Sequence, residues 1–139
     1  MTDLVELWMT NSINDLKRLI EEANSFLESH RLPKRTLYNA NLVLEEVLTN
    51  IVKYAYHDDY SHQIGVVIAL TGDELIIEFE DDGNEFNPLT VQDRKPAESL
   101  WDTEAGGLGL HLVKKTVDCL EYLRQEGRNR LRTRMTVSS

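Results

Sequence analysis

Apolar residues recur along this chain at two distinct spacings. Ile13, Leu16, Leu19, Ile20, Ala23, Phe26 and Leu27 repeat every three or four positions, as one face of a helix does. Ser12 followed by Asp15 resembles a capping box with Asp in place of Glu, which predicts the helix start. A second stripe of Leu37, Ala40, Leu44, Val47, Leu48, Ile51 and Ala55 follows Pro33, a residue suited to opening a helix. The period then drops to two. Ile64, Val66, Ile68 and Leu70 alternate as one strand, and Leu75, Ile77 and Phe79 as its hairpin partner across the turn Thr71-Gly72-Asp73-Glu74. Leu4 to Met9 alternates loosely and predicts an edge strand. Periodicity is lost from Asn87 to Ala105, a stretch with Pro88, Pro96 and several charges, which reads as a mobile loop. A helix is predicted from Gly107 to about Asp118. A strand then begins at Leu120 and Tyr122, and a turn covers Glu126 to Asn129. The last strand carries Leu131, Thr133, Met135 and Val137 on one face and Arg130, Arg132 and Arg134 on the other. Three helices on one face of a mixed, mostly antiparallel sheet of about five strands make an α+β two-layer sandwich. The absence of a repeat or linker predicts a single domain over residues 1–139.

Composition narrows the function classes. The chain has 139 residues, 41% of them hydrophobic, enough for a real core. A net charge of −9 disfavours direct binding to a nucleic-acid backbone. The single cysteine, Cys119, excludes an intrachain disulfide and fits a reducing compartment; its apolar strand setting predicts a core position. No apolar run approaches the length of a membrane span, and the acidic N-terminus is unlike a signal peptide. The expectation is a cytoplasmic protein without membrane association.

Three short segments carry candidate chemistry. On the second helix, Glu46 and Asn50 fall roughly opposite Leu44, Leu48 and Ile51, so they look away from the sheet, toward water or a cleft. That placement suits a solvated polar face. From the helix alone it suits less readily an amide oxygen on magnesium beside a carboxylate that orients or deprotonates a hydroxyl. Lys53, one turn beyond Asn50, reads as a solvated lysine or as a phosphate contact. Asp81 continues the face of Leu75, Ile77 and Phe79 toward the core, where an unpaired charge is expensive, so it needs a partner. A local turn aspartate meets that need, and so does a ligand. Gly83 would let the backbone pass close to such a ligand. Gly106, Gly107 and Gly109 precede Leu110, Leu112 and Val113 at a helix start. They read either as a flexible entry or as an anion cradle built from N–H groups near Leu108 to His111. His111 reads more readily as a polar helix residue than as a catalyst, and His30, His57 and His62 lack metal-ligand spacing. A P-loop is excluded because no Gly-x-x-x-x-Gly-Lys-Ser/Thr pattern exists.

In order and placement, Glu46 to Asn50, Asp81-Asp82-Gly83 and Gly106 to Leu110 resemble the N, G1 and G2 boxes of the Bergerat-fold ATPases. The wording of Asn50 to Tyr56, of Asp81 to Pro88 and of Gly107 to Val113 resembles the bacterial anti-sigma-factor serine/threonine kinases, from about Ser12 to the C-terminus. Two positions depart from the pattern. Glu85 stands where the wider superfamily has the last glycine of Asp-x-Gly-x-Gly, and Tyr54 stands where a histidine is common. The resemblance implies ATP and Mg2+ as cofactors, with Glu46 as catalytic base and Asn50 as metal ligand. It implies that Asp81 accepts from the adenine amino group, with Gly83 beside it. It assigns Lys53, Gly107, Leu108, Gly109, Leu110 and His111, together with Asn50, to ATP binding. It also implies phosphorylation of an anti-sigma-factor antagonist, sequestration of a sigma factor and a homodimer. A rival class is a nucleotide-gated binding module without useful turnover. A third, the ATPase fragment of a sensor histidine kinase, is disfavoured because no phosphoacceptor helix pair precedes Ser12.

Overall fold

The computed structural model describes residues 2–85 and 107–137. The chain runs β1 (Thr2–Thr10), α1 (Ile13–Ser29), α2 (Lys34–Tyr54), β2 (Gln63–Thr71), β3 (Glu74–Asp81), α3 (Gly107–Thr116), β4 (Cys119–Gln125) and β5 (Arg128–Thr136). The strands form one sheet in the order β1-β2-β3-β5-β4. Every neighbouring pair is antiparallel, so the described sheet is wholly antiparallel rather than mixed. The predicted loop of residues 87–105, with Gly106 after it, lies outside the described residues.

Local chemistry sets the element ends. Ser12 caps α1, its hydroxyl oxygen accepting from the Asp15 N–H at 3.1 Å. The Asp15 carboxylate does not return to Ser12 as a capping box would. It accepts from the backbone N–H of Thr10 at 2.7 Å and from Arg18 Nε at 2.9 Å, fastening the end of β1 to the first turn of α1. Pro33 sits one place earlier than an opening helical residue, at the N-cap of α2. Helices α1 and α2 are joined by a reciprocal amide pair, Asn24 with Asn41, at 2.8 Å in both directions.

The core lies between the helical layer and one face of the sheet. Leu19, Ala23 and Leu27 from α1, and Ala40, Val43, Leu44 and Leu48 from α2, meet Ile64, Ile68, Leu75 and Ile77 with no exposure at all. This buried apolar face is the chief source of stability, at about 25 cal/mol per Å² removed from water. The other sheet face carries charge in register. Glu74, Glu78 and Glu80 of β3 oppose Thr136, Arg132 and Arg130 of β5. Arg128 reaches Glu80 at 2.6 Å, and Arg134 reaches Glu74 at 3.2 Å. Cys119 is half-buried at the start of β4, not in the core, because its strand lies at the sheet edge.

Candidate functional site: a cavity at the end of the sheet

A cavity of about 260 Å³ opens where the C-terminal half of α2, the end of β3, the start of α3 and the β4–β5 hairpin converge. Its apolar wall includes Val47 and Ile51 of α2, Phe79 of β3, Leu110 of α3 and Leu131 of β5. Asn50, Asp81 and Asn129 supply polar atoms to the same lining. A mostly apolar cavity with a few convergent polar groups is the usual form of a small-molecule site.

Asp81 is the polar anchor. Alternation along β3 carries it inward behind Phe79, and it is 5% exposed. Its Oδ1 accepts from the Gly83 N–H at 2.8 Å and from Asn129 Nδ2 at 2.9 Å. Burial pushes its carboxyl above the usual carboxylate range, and those two hydrogen bonds pull the other way. Asn129 is the functional residue that sequence reasoning missed. Its own neighbours are apolar or charged strand positions, and its role exists only because β3 and β5 pair Asp81 directly with it. A buried carboxylate at a strand end required a partner, and that was the available signal.

Asn50 lies on the same wall, and its Oδ1 is buried with no hydrogen-bond partner. A carbonyl oxygen in that state is costly unless a ligand completes it. Glu46 stands one turn earlier, half-exposed, and lines a different hollow, the groove between α1 and α2 beside Lys17, Glu21 and Thr49. The two residues share a helix face yet line separate hollows. Lys53 is exposed and is not part of the cavity lining.

Gly107 begins α3, so the glycine-rich segment does open a helix, and Leu110, 3% exposed, brings that first turn to the cavity wall. The surroundings of residues 107–109 lie outside the described set. His111 is half-buried in the first turns of α3 and does not line the cavity. Among the described residues no cluster of three His, Cys, Asp or Glu suits a metal.

Gly83 meets the end of α2 at close range. A Cβ there would lie 2.6 Å from both the Cβ and the carbonyl oxygen of Ala55, and the next residue's N–H donates to that same oxygen at 2.8 Å. The glycine lets the strand end press against the C-terminal end of α2, which holds Asp81 and Asn50 to one cavity. Gly83→Ala is therefore expected to lower stability by about 1–3 kcal/mol through a forced backbone shift, measured by chemical denaturation. An unchanged midpoint would show that the α2 contact is slack.

A second cluster fastens the segment after α2. His62 Nε2 meets Asp58 Oδ1 at 2.8 Å, Nδ1 lies 3.3 Å from Asp82 Oδ1, and the ring stacks on Tyr56 with centroids 4.1 Å apart. The Asp58 hydrogen bond, with help from Asp82, raises the imidazole above its ordinary 6.5, against the opposing effect of burial. The folded value exceeds the unfolded one. The imidazolium's contribution is thus complete below 6.5 and lost as pH rises through the folded value. Thermal denaturation of the wild type across that window is expected to show a fall in Tm that His62→Gln lacks. Parallel curves would remove the imidazolium from the stability balance.

This arrangement of sheet, helices and cavity is that of a histidine kinase-like ATPase domain. The model of that family matches residues 9–136, and the chain belongs to it. Within the family its relatives are protein kinases. The serine/threonine-protein kinase BtrW of Bordetella bronchiseptica is 30% identical over 101 residues, spanning 73% of this chain and 71% of that protein. The serine-protein kinase RsbW of Bacillus mycoides is 33% identical over 100 residues, 67% of this chain and 60% of its own length. The chain thus spans three fifths to seven tenths of these relatives. The structure of the RsbU and RsbW domains of Rv1364c from Mycobacterium tuberculosis superposes on 99% of this chain with a TM-score of 0.72 at 16% identity, covering 33% of that chain. That likeness confirms the α+β sandwich of three helices on a five-stranded sheet.

Proposed function

We propose that the chain is an ATP-dependent protein serine/threonine kinase of the anti-sigma type, which phosphorylates an anti-sigma-factor antagonist. The observation that carries the ATP reading is Asp81, a buried acceptor in an apolar cavity, fixed through one carboxylate oxygen by two hydrogen bonds. The names of the kinase relatives support the transfer reaction.

Each residue has a part in this reading. Asp81 accepts from the exocyclic amine of adenine, and the apolar wall of Ile51, Phe79, Leu110 and Leu131 takes the ring. The N–H groups of Gly107 to His111, at the start of α3, take phosphate oxygens, since a helix start carries unpaired donors and partial positive charge. Asn50 Oδ1, buried and without a hydrogen-bond partner, fits a hard cation that prefers oxygen. Magnesium, when bound there, would neutralise phosphate charge. Lys53 reaches toward the phosphates from its exposed position one turn beyond Asn50. Glu46, in the groove beside the cavity, accepts the proton of the attacking hydroxyl once the substrate segment lies between them.

Sequestration of a sigma factor, a homodimer, a cytoplasmic setting and a single domain over the whole chain belong to the same reading. Among the described residues no helix is long and apolar enough to cross a membrane. Incubation with labelled ATP, magnesium and the candidate antagonist tests the proposal. Stoichiometric phosphoprotein is the expected result; tight ATP binding without transfer would favour a nucleotide-gated binding module. Glu46→Gln is expected to lower transfer by roughly 100-fold or more, the size of a general-base contribution, at unchanged ATP affinity. Undiminished transfer would assign the proton to another acceptor.

A further inference from the structure

We infer that Asn129 is a positioning residue that sets the cavity's choice of base, by locking Asp81 as an acceptor and by having no amide hydrogen left to offer a ligand. The inference rests on the ATP reading of the cavity.

Asn129 is 6% exposed and makes four close hydrogen bonds, with a longer contact from Nδ2 to the Gly83 carbonyl at 3.5 Å. Its Nδ2 donates to Asp81 Oδ1 at 2.9 Å and to the backbone oxygen of Asn84 at 2.8 Å. Its Oδ1 accepts from the Tyr122 hydroxyl and from Arg124 Nη1, the latter at 3.1 Å. Both amide hydrogens and both oxygen lone pairs are therefore committed.

The orientation of the amide is fixed by this surround. Turned over, its oxygen would face two acceptors, Asp81 Oδ1 and the Asn84 carbonyl, while its NH2 would face the donors of Tyr122 and Arg124. The Tyr122 hydroxyl can turn to accept, but at Asp81, Asn84 and Arg124 the reversed contact replaces a hydrogen bond with a repulsion. Arg124 reinforces the arrangement by donating from the same Nη1 to the Gly83 carbonyl at 2.7 Å, so the edge strand β4 holds the turn that follows β3.

The consequence is selectivity. A base with an exocyclic amine donates to the free oxygen of Asp81. A base with an oxo group at that place needs a donor, and an adaptable amide could turn over to provide one. Asn129 cannot, so the oxo base meets a carboxylate and is refused. Sites built around a fixed buried polar group discriminate strongly because the wrong partner leaves that group unpaired.

The charged and titratable groups that act on Asp81 are Asp82 just after β3, Tyr56 from the segment after α2 and Arg124 from β4, while Tyr122 of β4 reaches it through Asn129. The Asn129 amide helps hold Asp81 ionised in that setting. Its loss therefore moves the acid limit of ATP binding to higher pH.

The test is calorimetric affinity for ATP and GTP between pH 5 and 8 for wild type, Asn129→Ala and Asn129→Asp. Asn129→Ala is expected to weaken ATP about tenfold, as loss of a hydrogen bond to a charged group does, and to shrink the ATP-to-GTP ratio by a similar factor. Its affinity for ATP is expected to fade at a higher pH than in the wild type. Asn129→Asp keeps the shape and the acceptor for Tyr122 and Arg124 if the alanine variant fails to fold. It sets two carboxylates together, which share a proton. Its ATP affinity is expected to improve on acidification as the pair takes up that proton, where the wild type only weakens. A wild type that binds ATP, with variants that lose Tm but keep its base ratio and pH profile, overturns the selective role alone. A wild type that binds neither nucleotide overturns the ATP reading as well.

Discussion

Replacing Asp81 by Asn is expected to weaken ATP binding by about 2–3 kcal/mol, roughly a hundredfold, while Tm holds or rises. The asparagine keeps an oxygen where Asp81 Oδ1 now accepts from Gly83 and Asn129, so the local hydrogen bonds survive. The other carboxylate oxygen becomes an NH2, which faces the adenine amine donor to donor. The fold is relieved at the same time, since burial disfavours the ionised carboxyl and a neutral amide has no such penalty. Affinity measured by titration and Tm by calorimetry should therefore move apart. A joint loss of both would make Asp81 a structural residue. The sign of the pH dependence follows from the same group. A carboxyl with a raised folded value contributes least to stability once ionised, so Asp81→Asn should gain most over the wild type at neutral pH.

Asn50→Ala is the second large expectation. Magnesium-dependent ATP affinity should fall about a hundredfold, the upper end of what loss of even a metal's supporting residues costs. Stability should not suffer, because Asn50 Oδ1 makes no hydrogen bond that the fold would lose. Affinity for ATP without magnesium should change little, and that comparison separates metal binding from nucleotide binding. Equal affinity of variant and wild type in the presence of magnesium would remove Asn50 from the metal site. A fall in Tm of several degrees would show that its amide holds α2 in place.

Much of the fold was legible because its periods are clean. The alternation of Leu75, Ile77 and Phe79 gave β3 and the inward direction of Asp81, and burial bears out both. The stripe from Leu37 to Ile51 likewise gave α2 and its sheet-facing side, which set Asn50 at a cleft. The absence of parallel pairing in the described sheet was not legible, because strand order depends on contacts far apart in the chain. The hub at Asn129 was hidden for the same reason: its partner stands 48 residues earlier and meets it through strand register. Gly83 was legible as a place of close approach but not by what approaches, which is the end of α2. Glu46 and Asn50 were read as one polar face. They share that face, and the two side chains line adjacent hollows, a separation set by what packs against each.

The most direct single measurement is a calorimetric titration of the protein with ATP, with and without magnesium. A cavity with Asp81 for the base and Asn50 for the cation should take up one ATP per chain, with affinity that rises when magnesium is added. No measurable binding in either condition would contradict the assignment of this cavity to ATP.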